Sequence, residues 1–120
     1  MTSVVFRLFS LLACGHAFAD FALQSDLIAK GKNRHTPAFN VPTGQTLQTI
    51  WPWVLSAHAA IHAGTVMLIT GSLVVGLSEF VLHWIIDFAK CENWTGIHTD
   101  QTLHLICKLA FAIYLVNGWL

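Results

Sequence analysis

The stretch Glu79-Phe80-Val81-Leu82-His83-Trp84-Ile85-Ile86-Asp87 decides the reading of this chain, because it sets three ionisable residues four apart in an otherwise apolar segment. Four residues are close to one α-helical turn, so Glu79, His83 and Asp87 line one face while apolar side chains cover the rest. Inside a membrane such a face turns to the interior of a helix bundle, since lipid does not solvate it.

The whole chain has the same bias. Of 120 residues, 55% are hydrophobic and 10% charged, and the mean hydropathy is +0.62, whereas soluble domains carry about a quarter charged residues. Six Lys and Arg with six Asp and Glu are too few to cover a soluble surface. The balanced charge also gives no basic stripe for nucleic acid, so that partner is excluded and membrane lipids are the expected one. Cys14, Cys91 and Cys107 are odd in number and lack CxxC spacing, which signals neither a disulfide framework nor a thiolate zinc site. They read as small apolar filler.

Four apolar stretches, Ser3 to Leu23, Ile50 to Ile69, Leu73 to Phe88 and Leu103 to Leu120, lie near the ~20 residues that span a bilayer. The expected fold is all-α: an integral membrane up-down bundle of four transmembrane helices at about 3–24, 50–69, 73–90 and 100–119, forming one domain over 1–120. The link from about 26 to 48 holds Lys30, Lys32, Arg34, Pro37, Pro42 and Gly44 and reads as an exposed irregular loop. Thr70-Gly71-Ser72 reads as a tight turn, and Cys91 to Thr99 as a short polar connection.

Lys30, Lys32, Arg34 and Lys90 outnumber Arg7 on the other side, which places both links in the cytoplasm and both termini outside. Trp51, Trp53 and Trp94 then mark the cytoplasmic interface and Trp119 the outer one. A rival reading of the N-terminus is a cleaved signal sequence. Leu8 to Ala13 is apolar, Leu11-Leu12-Ala13-Cys14 approaches a lipoprotein box, and Ala17-Phe18-Ala19 fits a signal-peptidase site. No basic residue precedes Arg7, and apolar character resumes at Phe21-Ala22-Leu23, so the first stretch is read as a retained helix.

Every helix repeats the spacing of the opening stretch: His16 and Asp20; His58 and His62; Glu79, His83 and Asp87; Asp100, His104 and Lys108. In an up-down bundle all of these fall in the cytoplasmic half of the membrane, late in the first and third helices and early in the second and fourth. Glu79 lies eight residues before Asp87 and Lys108 eight after Asp100, each ~12 Å along its helix. The two should share one depth and form an ion pair or hydrogen bond, because an unpaired charge there is costly. That pair serves equally as a structural lock or as catalytic machinery.

The remaining groups are donors that Zn, Mn, Fe or Mg accept, and two His at i and i+4, such as His58 and His62, can address one ion. His16, Asp20, His58, His62, His83, Asp87, Asp100 and His104 are the candidate ligands of a divalent metal, zinc first among them, as one ion or two. The surplus over four ligands leaves room for a second ion or for acid/base groups. The plain alternative is a hydrogen-bonded polar core that holds helices together. Asp100 has its own alternative as an N-cap or first-turn residue of the fourth helix. His35, His98 and Glu92 fall in links and read as solvated.

The motifs His16-Ala-Phe-Ala-Asp20-Phe-Ala-Leu-Gln24, His58-Ala-Ala-Ile-His62-Ala, Glu79 through Asp87 to Lys90, and Asp100-Gln101-Thr-Leu-His104 together resemble domain of unknown function 3307. That family comprises small membrane proteins of bacteria and their phages, and the likeness covers nearly the whole chain. It implies a multi-helix protein of the bacterial inner membrane and names no reaction. A fainter likeness to metal-dependent hydrolases of the inner membrane points toward hydrolysis by analogy alone.

The leading functional expectation is therefore a membrane-embedded metal-dependent hydrolase, its site near the cytoplasmic face, acting on a lipid-linked or membrane-proximal substrate. His58, His62, His83 and His104 are its foremost ligands, and Glu79, Asp87 and Lys108 its catalytic candidates, with Glu79 as general base if Lys108 leaves it free. The first alternative is metal-ion or proton transport, weakened by the apolar runs Leu8 to Leu12, Val74 to Leu77 and Phe111 to Val116 toward the outer side. The second is a nonenzymatic phage or bacterial membrane protein with a structural polar core. Oligomeric state is not legible in the sequence.

Overall fold

The computed structural model describes residues 1–36 and 43–118, and among these all the regular secondary structure is helical. Helix α1 spans Thr2–Ala17 and runs on through a π turn at Phe18–Ala22; the short α2 spans Asp26–Gly31, α3 Leu47–Thr70, α4 Leu73–Cys91 and α5 Ile97–Val116. Helix α3 packs on α1 and α4, and α5 packs on the same two, so the four long helices close a ring in the order α1, α3, α4, α5.

The turn expected at 70–72 is there. Gly71 adopts φ +70°, a left-handed conformation that glycine takes without a Cβ penalty, and its N–H donates to the Met67 carbonyl at 2.8 Å. The Thr70 hydroxyl accepts from the Ser72 N–H at 3.1 Å. Ser72 then caps α4 by accepting from the Val75 N–H at 3.3 Å. The turn folds α4 back on α3, and Gly76 seats that contact: a Cβ there would meet the Met67 side chain and lie 3.4 Å from the Ala63 carbonyl.

The 26–48 link departs from the irregular, exposed loop expected of it. Ser25 caps α2 by accepting from the Ile28 N–H at 3.3 Å, Asp26 sits in the first turn, and Gly31 is buried against Val54. Ser25 followed by Asp26 is a helix-start signal, outweighed in the sequence by the charges and prolines downstream. Lys32, expected in solvent, is 4% exposed. Pro37, Pro42 and Trp119 lie outside the described residues, while Gly44 is exposed. Of the expected interfacial tryptophans, Trp53 and Trp94 are exposed and Trp51 is half-buried.

Burial is inverted relative to a water-soluble protein. Lys108 is 0% exposed while Leu68 is 89% exposed. His58, His62, His83, His104, Glu79, Asp87 and Asp100 rank with Leu12 and Leu55 among the largest fully buried side chains. Outside lie Phe6, Phe21, Leu73, Leu77, Val81, Ile85 and Ile106, an arrangement that water disfavours and hydrocarbon accepts. Two runs, Thr2–Ala22 and Thr49–Thr70, are long and apolar enough to cross a membrane. Among the described residues these are two of the four expected spans; α4, with Glu79, Asp87 and Lys90, and α5, with Asp100, Gln101, His104 and Lys108, are more polar.

At the end next to the α3–α4 turn the interior is apolar: Leu12, Val66, Val75, Phe111 and Ala112 pack together, with Phe9, Ile69 and Tyr114 against them. Gly15 lets α1 approach α3 closely there, since a Cβ would stand 2.8 Å from Ile69 and 2.9 Å from Thr65. Below that plug the interior changes character.

Candidate metal centre

The helix faces identified by spacing do converge. Ring centroids of His62 and His83 stack 3.6 Å apart, His83 and His104 lie 4.2 Å apart, His16 and His104 4.7 Å, and His58 and His62 4.7 Å. All five imidazoles, with Asp20, Glu79, Asp87 and Asp100, are buried at the centre of the ring of helices.

Asp20 is the hub on the α1 side, and a π turn holds it there. The Leu23 N–H donates to the Phe18 carbonyl at 3.1 Å, the i→i+5 bond of a π-helix. The Asp20 carboxylate lies 3.1 Å from His62 Nε2, 3.2 Å from His58 Nε2 and 3.4 Å from His16 Nε2. It also accepts from the Gln101 side-chain amide at 2.9 Å. Gln101 was not among the candidates, yet the same amide donates to Asp100 at 3.1 Å, and its oxygen is 3.4 Å from His16 Nε2. Its only sequence signal is its place between Asp100 and His104.

His83 is central from the other side. Its Nδ1 stands 3.3 Å from Glu79 Oε1 and its Nε2 4.0 Å from Asp87 Oδ2. Both nitrogens of His83 and both of His58 are buried without an aligned hydrogen bond to the protein, as are His104 Nε2 and Asp100 Oδ1. Three overlapping groups bring ligand atoms within 4.8 Å of one another: Asp20, His58, His62 and His83; His16, His62, Glu79 and His83; and His83, Asp87 and His104. That limit is wider than the ~3.4 Å between tetrahedral ligands held ~2.1 Å from one zinc ion, so side-chain movements of about an ångström would complete coordination. The donor chemistry and the orphaned nitrogens fit a divalent metal.

Glu79 and Lys108 meet as the register requires, Nζ to Oε1 at 2.6 Å. They form the floor of the polar core, beneath the apolar plug. At the opposite end Asp87 receives two ammonium groups: Lys32 at 2.6 Å and Lys90 at 2.8 Å. Lys90 also reaches Asp100 at 3.3 Å. Lys90, counted in the sequence as a loop charge, is thus part of the core's rim. Asp100 sits in the first turn of α5, as its plainer alternative expects, while the N-cap itself is Gly96; it is 0% exposed and so belongs to the core as well.

Glu92, read as solvated, instead anchors the segment after α2. Arg34 donates to its two oxygens at 2.7 and 2.9 Å, a forked pairing suited to the planar guanidinium. His35 Nε2 lies 3.1 Å away. The Arg34 hydrogen bonds hold the Glu92 carboxyl below its ordinary range, and Glu92 in turn raises Arg34. The guanidinium also lies 5.8 Å from the Trp51 ring and 5.6 Å from the Phe88 ring. His98 is exposed, as expected.

Three hollows on the outer surface have volumes of about 370, 480 and 290 Å³ and are mainly apolar, lined by residues such as Val75 and Phe111, Leu77 and Val81, and Phe6 and Leu11. None of the core's ionisable side chains lines any of the three. No curated protein and no solved structure matches the chain. A family model does match it, over residues 8–119, and the chain belongs to that family, described as Protein of unknown function (DUF3307).

Proposed function

We propose that the chain is a multi-pass protein of the bacterial inner membrane that binds a divalent metal ion, zinc first, inside its bundle. Its role on this reading is metal-ion or proton transport rather than hydrolysis. The observation that carries the proposal is the pair His58 and His83 beside Asp20 and His62: their four ring nitrogens are buried without an aligned hydrogen bond, and two of them, His58 Nε2 and His83 Nδ1, stand 3.2 and 3.3 Å from the carboxylates of Asp20 and Glu79. Buried polar atoms left unsatisfied cost about 1–3 kcal/mol each. A cation held by neutral imidazoles and a carboxylate offsets that cost and balances the charge of Asp20.

Hydrolysis of a lipid-linked substrate is less well supported. The candidate ligands are at most 8% exposed, and the surface hollows end in apolar side chains. Lys108 also neutralises Glu79 at 2.6 Å, which removes the free carboxylate a general base needs. Glu79 and Lys108 then act as a structural lock, and for that pair the structural reading is the better one. Access for an ion or proton lies at the opposite end, where the Lys90 side chain is 25% exposed. The membrane placement is supported by the inverted burial and the two long apolar helices.

The test is metal analysis of the detergent-purified protein followed by zinc titration calorimetry. One zinc per chain is expected, with affinity lowered about tenfold or more in His58→Ala and in His83→Ala. Protein that neither contains nor takes up a transition metal sinks the proposal. Zinc or proton flux into liposomes that persists in His58→Ala with His104→Ala would remove the transport role while sparing the binding site.

A further inference from the structure

The position of Lys32 has no counterpart in the helix spacing. It reaches into the core from the segment 25–36, pairs with Asp87 at 2.6 Å and is 4% exposed. Asp87 is the only carboxylate of the His83, Asp87 and His104 group, and that group lies next to the Asp20, His58, His62 and His83 group through the shared His83. Resting on the metal reading above, we infer that Lys32 is a tethered cation occupying a second cation position. A divalent ion binds at Asp87 by displacing Lys32 with the strap that carries it.

Two features of the fold support this. The first is charge. The continuous buried network contains four carboxylates, Asp20, Glu79, Asp87 and Asp100, against three ammonium groups, Lys32, Lys90 and Lys108. With imidazoles neutral, as ligands must be, one negative charge remains while Lys32 is in place. A divalent ion at the first position turns this into one positive charge, which withdrawal of Lys32 cancels in an interior where uncompensated charge is expensive. A second ion at Asp87 then adds two positive charges to a core without Lys32 and would bring the total to three with it, so entry there favours exchange over addition.

The second feature is the way the strap is held. Its anchors lie outside the ionisable core: Arg34 on Glu92, Arg34 over Trp51 and Phe88, and Gly31 buried against Val54. Within the core the strap places only the Lys32 side chain. Lifting the strap gives up the Arg34 and Gly31 contacts but leaves the packing of α1, α3, α4 and α5 on one another in place, whereas moving Lys90 would mean shifting the end of α4.

The experiment compares wild type with Lys32→Met and Arg34→Ala in zinc titration calorimetry, and follows hydrogen exchange of residues 25–36 with and without zinc. Lys32→Met should bind a second zinc, or bind the weaker ion about tenfold more tightly, as removal of a competing cation requires. Arg34→Ala leaves Lys32 in place but loosens the strap, and should shift the weaker binding in the same direction by less. Exchange across 25–36 in wild type should rise when zinc is saturating. If wild type binds zinc but Lys32→Met and Arg34→Ala give the same isotherm and zinc leaves strap exchange unchanged, the tethered-cation inference falls and the metal site stands. If neither wild type nor Lys32→Met takes up zinc, both fall.

Discussion

Next to the α3–α4 turn, Leu12, Val66, Val75, Phe111 and Ala112 fill the bundle as any apolar core would. About one helical turn away along α4 and α5, Glu79 and Lys108 begin an interior of imidazoles, carboxylates and ammonium groups. Both halves are wrapped by the same kind of exterior, with Leu77, Val81, Ile85 and Ile106 exposed. The apolar half gains from contact area and dispersion, so it tolerates hydrophobic exchange and is sensitive to volume. The polar half coheres only while each charge has its partner, so removing one group strands another. A ligand that completes such a core can bind there, and the apolar half offers it nothing.

The sharpest way to break the comparison is Lys108→Ala, which leaves Glu79 buried and unpaired. It should cost about 3–5 kcal/mol, read as thermal stability in detergent. Joint replacement by Glu79→Gln and Lys108→Met should recover most of the loss. Equal stability of the single and double variants would mean the pair is not the lock.

Next in size is Leu12→Ala in the apolar half, expected to cost about 2–4 kcal/mol through the cavity it leaves. Zinc stoichiometry should be unchanged, and a lost ion would show that the halves are not separable. Gly76→Ala, which presses a methyl group against Met67, should cost about 1–3 kcal/mol as α3 and α4 adjust.

The smallest effect concerns the strap anchor, which belongs to neither half. The Glu92 carboxyl titrates below the 4.5 of an ordinary glutamate because Arg34 binds it. Its contribution to strap docking is therefore complete above pH 4.5 and lost as the pH falls through the lowered folded-state value. Hydrogen-exchange protection in 25–36, taken relative to the intrinsic rate at each pH, should fall on acidification in wild type, and that fall should be absent in Glu92→Gln. Salt should weaken the contribution, as for any exposed pair.

These contrasts also mark what could be read from residues alone. The meeting of Glu79 and Lys108 followed from counting eight residues from Asp87 and from Asp100, because helical rise converts sequence distance into depth. The convergence of His58, His62, His83 and His104 followed from i, i+4 spacing on helices joined by short turns. Lys32 and Lys90 carried no such signal. Their charge suggested a loop in water; the return of 25–36 onto α3 and α4 brings Lys32 inside, and the packing of α5 on α4 sets Lys90 at the rim between Asp87 and Asp100. The same holds for Glu92, whose partners lie 57 and 58 residues away in sequence.

By itself, then, the amino-acid order determined an all-helical chain with apolar exteriors, and it determined which side chains share a face and a depth. Those properties are local and follow from the 3.6-residue period and the hydropathy of each segment. Tertiary structure decided how Asp20 is aimed through a π turn, that Gln101 bridges Asp20 and Asp100, and that an ammonium group from a distant strap occupies Asp87. Each of these depends on contacts between segments far apart in the chain, and no periodicity along one helix encodes them.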